Sequence, residues 1–176
     1  MKAFHFFIHL FLHPLNAGSH SQMLIETASA ADIPALSALL AELFSQEQEF
    51  TPDSEAQSRG LLTIINNPDV GIILLARRNG KTGQMGQVVG MLNMLFTVST
   101  ALGAPVALLE DMVVSSACRR ELVGTRLLTE AISLARDRGC KRITLLTDSA
   151  NKAAQKFYSR HGFTTSAMLP MRLTLD

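Results

Sequence analysis

The 176-residue chain has no tryptophan, one tyrosine and two cysteines, and its charges almost cancel, with 16 Lys plus Arg against 15 Asp plus Glu. Each scarcity removes a class of protein. Cys118 and Cys140 are too few for a disulfide framework and lack the Cys-x-x-Cys or Cys/His spacing of a zinc site, so a reducing, cytoplasmic setting is expected. A formal net charge of +1 creates no bulk field toward nucleic acid or anionic lipid. Neither is therefore expected as a partner, and any anion site must be local. No apolar run reaches the roughly 20 residues of a membrane span, and no internal repeat or low-complexity tract follows residue 22. What is abundant is apolar material. Hydrophobic residues make up 47% of the chain and charged residues 18%, against about 25% charged in an average domain. General disorder is excluded, and the length suits a single core.

Residues 1–22 differ from the rest: an aromatic-rich apolar run from Ala3 to Leu12, then Pro14 and the small residues Ala17, Gly18 and Ser19. That order also occurs in secretory signals. The reading adopted is an upstream extension or alternative start, docked through its Phe residues on an apolar patch or a partner subunit, which leaves a homodimer open. His5, His9 and His13 would share one helical face, but no acidic or Cys partner lies nearby and no metal site is expected. The folded domain is placed at 23–176.

From there strands and helices alternate. Leu24 to Ala28 reads as a strand. Asp32-Ile33-Pro34 opens a helix in which Leu36, Leu39, Leu40 and Leu43 recur at helical spacing. Asp53 or Ser54 caps a second helix, which Asn66-Asn67-Pro68-Asp69 stops. Gly71 to Arg77 is an apolar strand closed by Asn79-Gly80, and Gln87 to Ser99 and Val106 to Ser115 form an antiparallel meander. Arg119 to Arg138 reads as an amphipathic helix with Gly124, Leu127, Leu128, Ala131 and Ala135 on one stripe. A strand at Arg142 to Thr147 makes the crossover parallel. A helix from Asn151 to Arg160 and a strand from Phe163 to Leu173 complete a mixed α/β (α+β) fold, its sheet mainly antiparallel with one parallel join.

The segment Cys118 to Arg126 joins a strand to a helix start, where free N–H groups and the positive dipole end collect beside Arg119 and Arg120. It is neither a Walker loop nor a dinucleotide Gly-x-Gly-x-x-Gly turn. Arg119-Arg120-Glu121-Leu122-Val123-Gly124 resembles the Arg/Gln-x-x-Gly-x-Gly/Ala loop of the GCN5-related N-acetyltransferase (GNAT) family, with Leu122 in place of the first glycine. Asn151-Lys-Ala-Ala154-Gln-Lys-Phe157-Tyr158-Ser-Arg-His-Gly162-Phe163 is similar to that family's Asn-x-x-Ala-x-x-Phe/Leu-Tyr-x-x-x-Gly-Phe at every signature position. Glu26 to Pro34 resembles its usual opening, so the similarity spans roughly Leu24 to Leu173.

The resemblance implies acetyl transfer from acetyl coenzyme A to a primary amine of a small molecule or peptide, without a metal. It implies that the strand carrying Met112, Val113 and Val114 splays from the next one to admit the pantetheine arm, with backbone groups of Met112 and Val114 bonding its amides. The amides of Val123, Gly124 and Thr125, with Arg119 and Arg120 beside them and Asn151 nearby, would complete cofactor binding. At Leu122 a glycine would take positive φ freely, whereas a Leu there costs energy. Tyr158 occupies the family's general-acid position. Glu110 is preferred over Asp111 as base, through water, and as a handle for a cationic substrate; alternation puts these neighbours on opposite faces. Leu109-Glu110-Asp111 is similar to the corresponding strand of polyamine acetyltransferases, and the acidic stretch Glu47 to Phe50 either attracts an amine or is simply solvated. Three alternatives stand beside this reading: an acyl-cysteine route through Cys118, a non-catalytic coenzyme A-binding module, and an interaction domain. His161 is expected to close the last helix.

Overall fold

The computed structural model describes residues 23–45, 53–80 and 86–175; residues 1–22, with their histidines, and Glu47 to Phe50 lie outside the described residues. Five strands form one sheet in chain order: β1 (Met23–Thr27), β2 (Gly71–Arg78), β3 (Gln87–Ser99), β4 (Ala104–Val114) and β5 (Ile143–Leu145). The first four are antiparallel neighbours, and β5 runs parallel to β4. This is the expected mixed sheet with one parallel join.

Helices cover both faces. On one side α1 (Ile33–Phe44) and α2 (Ser54–Asn66) pack Leu36, Leu39, Leu40 and Leu61 on Ile73, Leu75, Met91 and Val113. On the other, α3 (Val123–Asp137) packs Val123, Leu127, Leu128, Ala131 and Ala135 on Leu74, Val89, Leu92, Met94 and Leu109. Because both faces of β3 are covered, its central residues read as a nearly continuous apolar run instead of an alternation. Helix α2 starts where Asp53 accepts the N–H groups of Glu55 and Ala56, both at 3.0 Å. The last helix, α4 (Lys152–Arg160), starts at Asn151. No helix among the described residues is long and apolar enough to cross a membrane.

Most expected bounds hold to within a residue or two, but two elements are shorter than expected and one strand is absent. Helix α3 begins at Val123 and not at Arg119, because a 3₁₀ turn at Ser116–Cys118 is followed by extended Arg119 and by Arg120 and Leu122 at φ 68° and 61°. Strand β5 shrinks to three residues, paired with Ala107, Leu108 and Leu109 only. The strand expected from Phe163 to Leu173 does not form. Phe163 packs on the core, but Pro170 has no N–H to donate to a ladder. The Met168 N–H is meanwhile bound locally by the Ser166 hydroxyl at 3.1 Å, and the short edge of β5 offers little to pair with. Met168, Leu169, Met171 and Leu173 are consequently exposed.

One ionic cluster ties β1, β2 and the turn before α1 together. The Arg77 guanidinium donates to Glu26 and to Asp32, both at 2.6 Å, and to the Gly86 carbonyl at 3.1 Å. Asp32 also accepts the Ser29 N–H at 2.9 Å and the Ser29 hydroxyl at 2.8 Å. Burial pushes the Asp32 pKa up, but these bonds from Ser29 and Arg77, with Arg77's charge, outweigh it and leave it below the ordinary value. A carboxylate depressed in the fold contributes stability above its unfolded pKa and loses it as pH falls through the folded value. Asp32→Asn is accordingly expected to cost about 3 kcal/mol near neutral pH, the low end for a broken buried pair because Glu26 still faces Arg77. Urea melts should show that deficit, and parent and variant converging in acid; equal midpoints at pH 7 would contradict it.

Candidate functional site

The site is organised by one extra residue in β4. Leu109 is opposite Met94 and Asp111 is opposite Asn93, so Glu110 has no partner on β3 and forms a bulge. Strict alternation therefore fails. Leu109 and Met112, three apart, both pack toward α3, while Asp111 shares with Val113 the face toward α1 and α2. The bulge also reverses which backbone groups point outward. The Ala107 N–H reaches Arg142 on the β5 side at 2.9 Å, whereas the Ser115 N–H reaches Val89 on β3 at the same distance. Beyond the bulge, the groups of Met112 and Val114 alternate to the side away from β3. There β5 has already ended, at Leu145.

Helix α3 begins beside this free edge. Its first intrahelical bond is from the Arg126 N–H to Leu122 at 3.0 Å, so the N–H groups of Val123, Gly124 and Thr125 have no acceptor within the helix. No side chain caps them, and the first turn holds no acidic residue. Gly124 allows a close approach: a Cβ there would stand 3.1 Å from Met112 Cε, which would have to give by a few tenths of an ångström, and 3.7 Å from Phe157 and Val114. The preceding loop is held from both sides. Glu42 of α1 accepts the Ser116 N–H at 3.0 Å and stands 3.8 Å from Arg119. Arg78 bonds the Glu121 carboxylate and donates to buried Cys118 Sγ at 3.3 Å. Arg120 and Leu122 each take the left-handed conformation, at about 1–2 kcal/mol per residue for a non-glycine.

Across the free edge stands α4. The Tyr158 hydroxyl donates to Met112 Sδ at 3.7 Å, and its ring lies edge-on to Phe157 at 5.2 Å and to Phe163 at 5.7 Å. Burial pushes the phenol up to about 12, so it remains a neutral donor throughout the physiological range. Asn151 Oδ1 accepts the Ala154 N–H at 3.0 Å and so caps α4. His161 closes the same helix, its Nδ1 lying 2.9 Å from the Phe157 carbonyl. Glu110 is exposed overall, yet partial desolvation of its carboxyl and then the charge of Asp111 push its pKa up, against the opposing charge of Arg172. Asp111, half-buried, is raised by burial and partly offset by the Asn93 amide, whose Nδ2 lies 3.2 Å away.

The structure thus gathers Met112, Val114, Gly124 and Tyr158 along one edge, with Val123 and Thr125 beside Gly124 at the start of α3; Glu110 is the bulge residue before them in β4, with Asp111 and Arg172 as its charged neighbours. Val113 turns its side chain into the opposite core, and Arg119 reaches back to α1. Arg78 and Asn93 carry no sequence signal toward this site. Arg78 ends an apolar strand, and only the lone amide inside the apolar run Gly90 to Phe96 hints at Asn93.

Comparison with known proteins shows what the chain resembles in sequence and fold. The acetyltransferase (GNAT) family profile matches residues 34–163. An uncharacterized N-acetyltransferase of Bacillus subtilis, YhfO, is 28% identical over 144 residues, covering 80% of this chain and 89% of its own length. An aminoalkylphosphonate N-acetyltransferase of Salmonella typhimurium is 27% identical over 139 residues, covering 79% and 83%. The fold matches the crystal structure of a possible acetyltransferase from Clostridium difficile at a TM-score of 0.76 and 12% identity, covering 88% of this chain and 98% of that one.

The buried Asn93 Oδ1 finds no donor among the described residues, while burial disfavours the Asp111 charge beside it. A carboxyl raised in the fold contributes stability below its unfolded pKa and loses it as pH rises through the folded value. Asp111→Asn, which removes the charge and supplies an amide donor near Asn93 Oδ1, is expected to raise the melting temperature at pH 7–8. The gain should disappear toward pH 4, and a variant less stable than the parent at pH 8 would refute this account.

Proposed function

The chain belongs to the acetyltransferase (GNAT) family, and from that premise we propose that it transfers an acetyl group from acetyl coenzyme A to a primary amine of a small molecule or peptide. The observation that carries the reading is the phenol of Tyr158 held 3.7 Å from Met112 Sδ, beside the stretch of β4 whose backbone faces the edge vacated by β5. The two relatives named as N-acetyltransferases support the amine as acceptor. The two free cysteines fit a cytoplasmic setting.

Acetyl coenzyme A supplies an activated thioester. The residues present suit it. Outward backbone groups at Met112 and Val114 match the alternating amides of an extended pantetheine arm, and the N–H groups of Val123, Gly124 and Thr125 suit a diphosphate. Arg119 and Arg120 add charge beside them. Glu110 attracts the ammonium of the acceptor and takes up its proton through water, freeing the amine lone pair to attack the thioester carbonyl. As the C–S bond breaks, the Tyr158 hydroxyl donates a hydrogen bond to the departing sulfur, which takes up the proton that the nitrogen sheds on forming the amide. Attack by the amine itself leaves Cys118 no part, in keeping with that thiol's burial and its engagement by Arg78.

Tyr158→Phe keeps the ring and removes the donor. Turnover, followed as thiol release over a panel of amines, is expected to fall about 10² to 10⁴-fold at an unchanged melting temperature. Full activity in the stably folded variant would remove Tyr158 from the mechanism. The pH profile tests Glu110. Its raised pKa predicts that kcat/KM drops on the acid side at a pH above the ordinary glutamate range, and Glu110→Gln should abolish that limb. The phenol near 12 predicts no alkaline limb from Tyr158 in the accessible range.

A further inference from the structure

On the reading that the α3 start receives the cofactor diphosphate, we infer that Arg78 is a positioning residue for the loop that carries those groups. From Ser115 to Val123 the chain contains no glycine, yet Arg120 and Leu122 both adopt left-handed backbone, with φ 68° and 61°. Isolated non-glycine residues enter that region at a cost and hold it only when their surroundings impose it. The Leu122 side chain does not do so, for it is exposed and makes no capping bond, and the one tie at Leu122 is its carbonyl, which accepts the Arg126 N–H of α3. Glu121, between the two strained residues, supplies the constraint. Its carboxylate is bonded by Arg78 Nη2, and the same nitrogen donates to Cys118 Sγ at 3.3 Å. Arg78 is the last residue of β2, so the tether is rooted in the sheet. The other end of the loop is fixed to α1, where Glu42 accepts the Ser116 N–H. Arg78 thus holds the second half of a two-point clamp that sets the direction of the Val123 N–H and the placement of Arg119 and Arg120.

A guanidinium near an anion site could instead touch the anion. The two roles predict opposite signs for Glu121→Gln. A direct ligand would be freed from its carboxylate and bind the anion more tightly, whereas a clamp would be broken and binding would weaken. The probes are coenzyme A and pantetheine, which lacks the diphosphate, titrated calorimetrically. Arg78→Ala and Glu121→Gln are each expected to weaken coenzyme A about tenfold, as for a loop competent about a tenth of the time, and to leave pantetheine unchanged. KM for acetyl coenzyme A should rise with kcat unaltered. Leu122→Gly in the Arg78→Ala background should recover most of the loss, because glycine enters the left-handed region unaided. Should Arg78→Ala fail to fold, Glu121→Gln and Arg78→Lys carry the test. Unchanged or tighter coenzyme A binding in Glu121→Gln, or equal losses for both probes, would overturn the clamp. A parent protein that does not bind coenzyme A would overturn the proposed function instead.

Discussion

The site depends on how β4 is shared. It pairs with β3 along its length but with β5 over three residues only, and it carries one more residue than β3 where the β5 ladder ends. Backbone N–H and C=O groups are obligatory hydrogen-bonding groups, and an edge that loses its partner strand must satisfy them with water or a ligand. The bulge at Glu110 decides which groups those are. With regular alternation, the odd-numbered residues that face β5 at Ala107 would continue to face outward; after the bulge, Met112 and Val114 do. The same step turns Met112 toward α3 and α4, where Tyr158 reaches it, and leaves Asp111 beside Asn93 on the far face. A deletion of one residue in β4 would therefore exchange the two faces of its C-terminal half.

A second consequence concerns where strain is stored. The β4-to-α3 connection must leave the sheet, pass over Cys118 and present a helix start without a side-chain cap. Two left-handed non-glycine residues accomplish the turn, and at about 1–2 kcal/mol each they are not stable alone. The cost is offset by contacts from α1 and β2, elements distant in sequence, which makes the loop a product of tertiary structure. A glycine at 122 would make the turn locally easy but would also allow the loop many other conformations when empty.

The legible parts of the chain were those governed by short-range patterns. Apolar spacing located α1, α2 and the body of α3, and Asp53 announced the cap of α2, whereas Asn151, read as a helix start and a cofactor neighbour, has its side chain engaged as the cap of α4. The Phe157-Tyr158 motif marked the aromatic pair, and the fold sets Tyr158 against Met112 of β4. The bulge was hidden because strand reading assumes a period of two, and Glu110-Asp111 looks the same with or without an extra residue. The expected start of α3 lies four residues early because Arg119 to Leu122 have adequate helix propensity, while the contacts seen with Glu42 and Arg78 come from elements distant in sequence. The final strand failed for a related reason: Met171, Leu173 and Leu175 alternate as a strand should, but Pro170 and a three-residue neighbour give the ladder nowhere to grow.

On the proposed reading, the environment of Tyr158 constrains how it can act. A thiol near 8.5 and a phenol near 12 differ by about 3.5 units, and at 1.36 kcal/mol per unit a complete proton transfer from phenol to thiolate is uphill by about 5 kcal/mol. The phenol therefore serves the bond-breaking step mainly as a hydrogen-bond donor, which neutral apolar surroundings strengthen. The proton that finally resides on sulfur is the one the attacking amine sheds on forming the amide, so the phenol ends the step protonated and the reaction balances. A donor too weak to lose its proton outright has an advantage here. It remains protonated from neutral to moderately alkaline pH, where a growing share of the acceptor amine is free, so the acid and the nucleophile need not compete across that range.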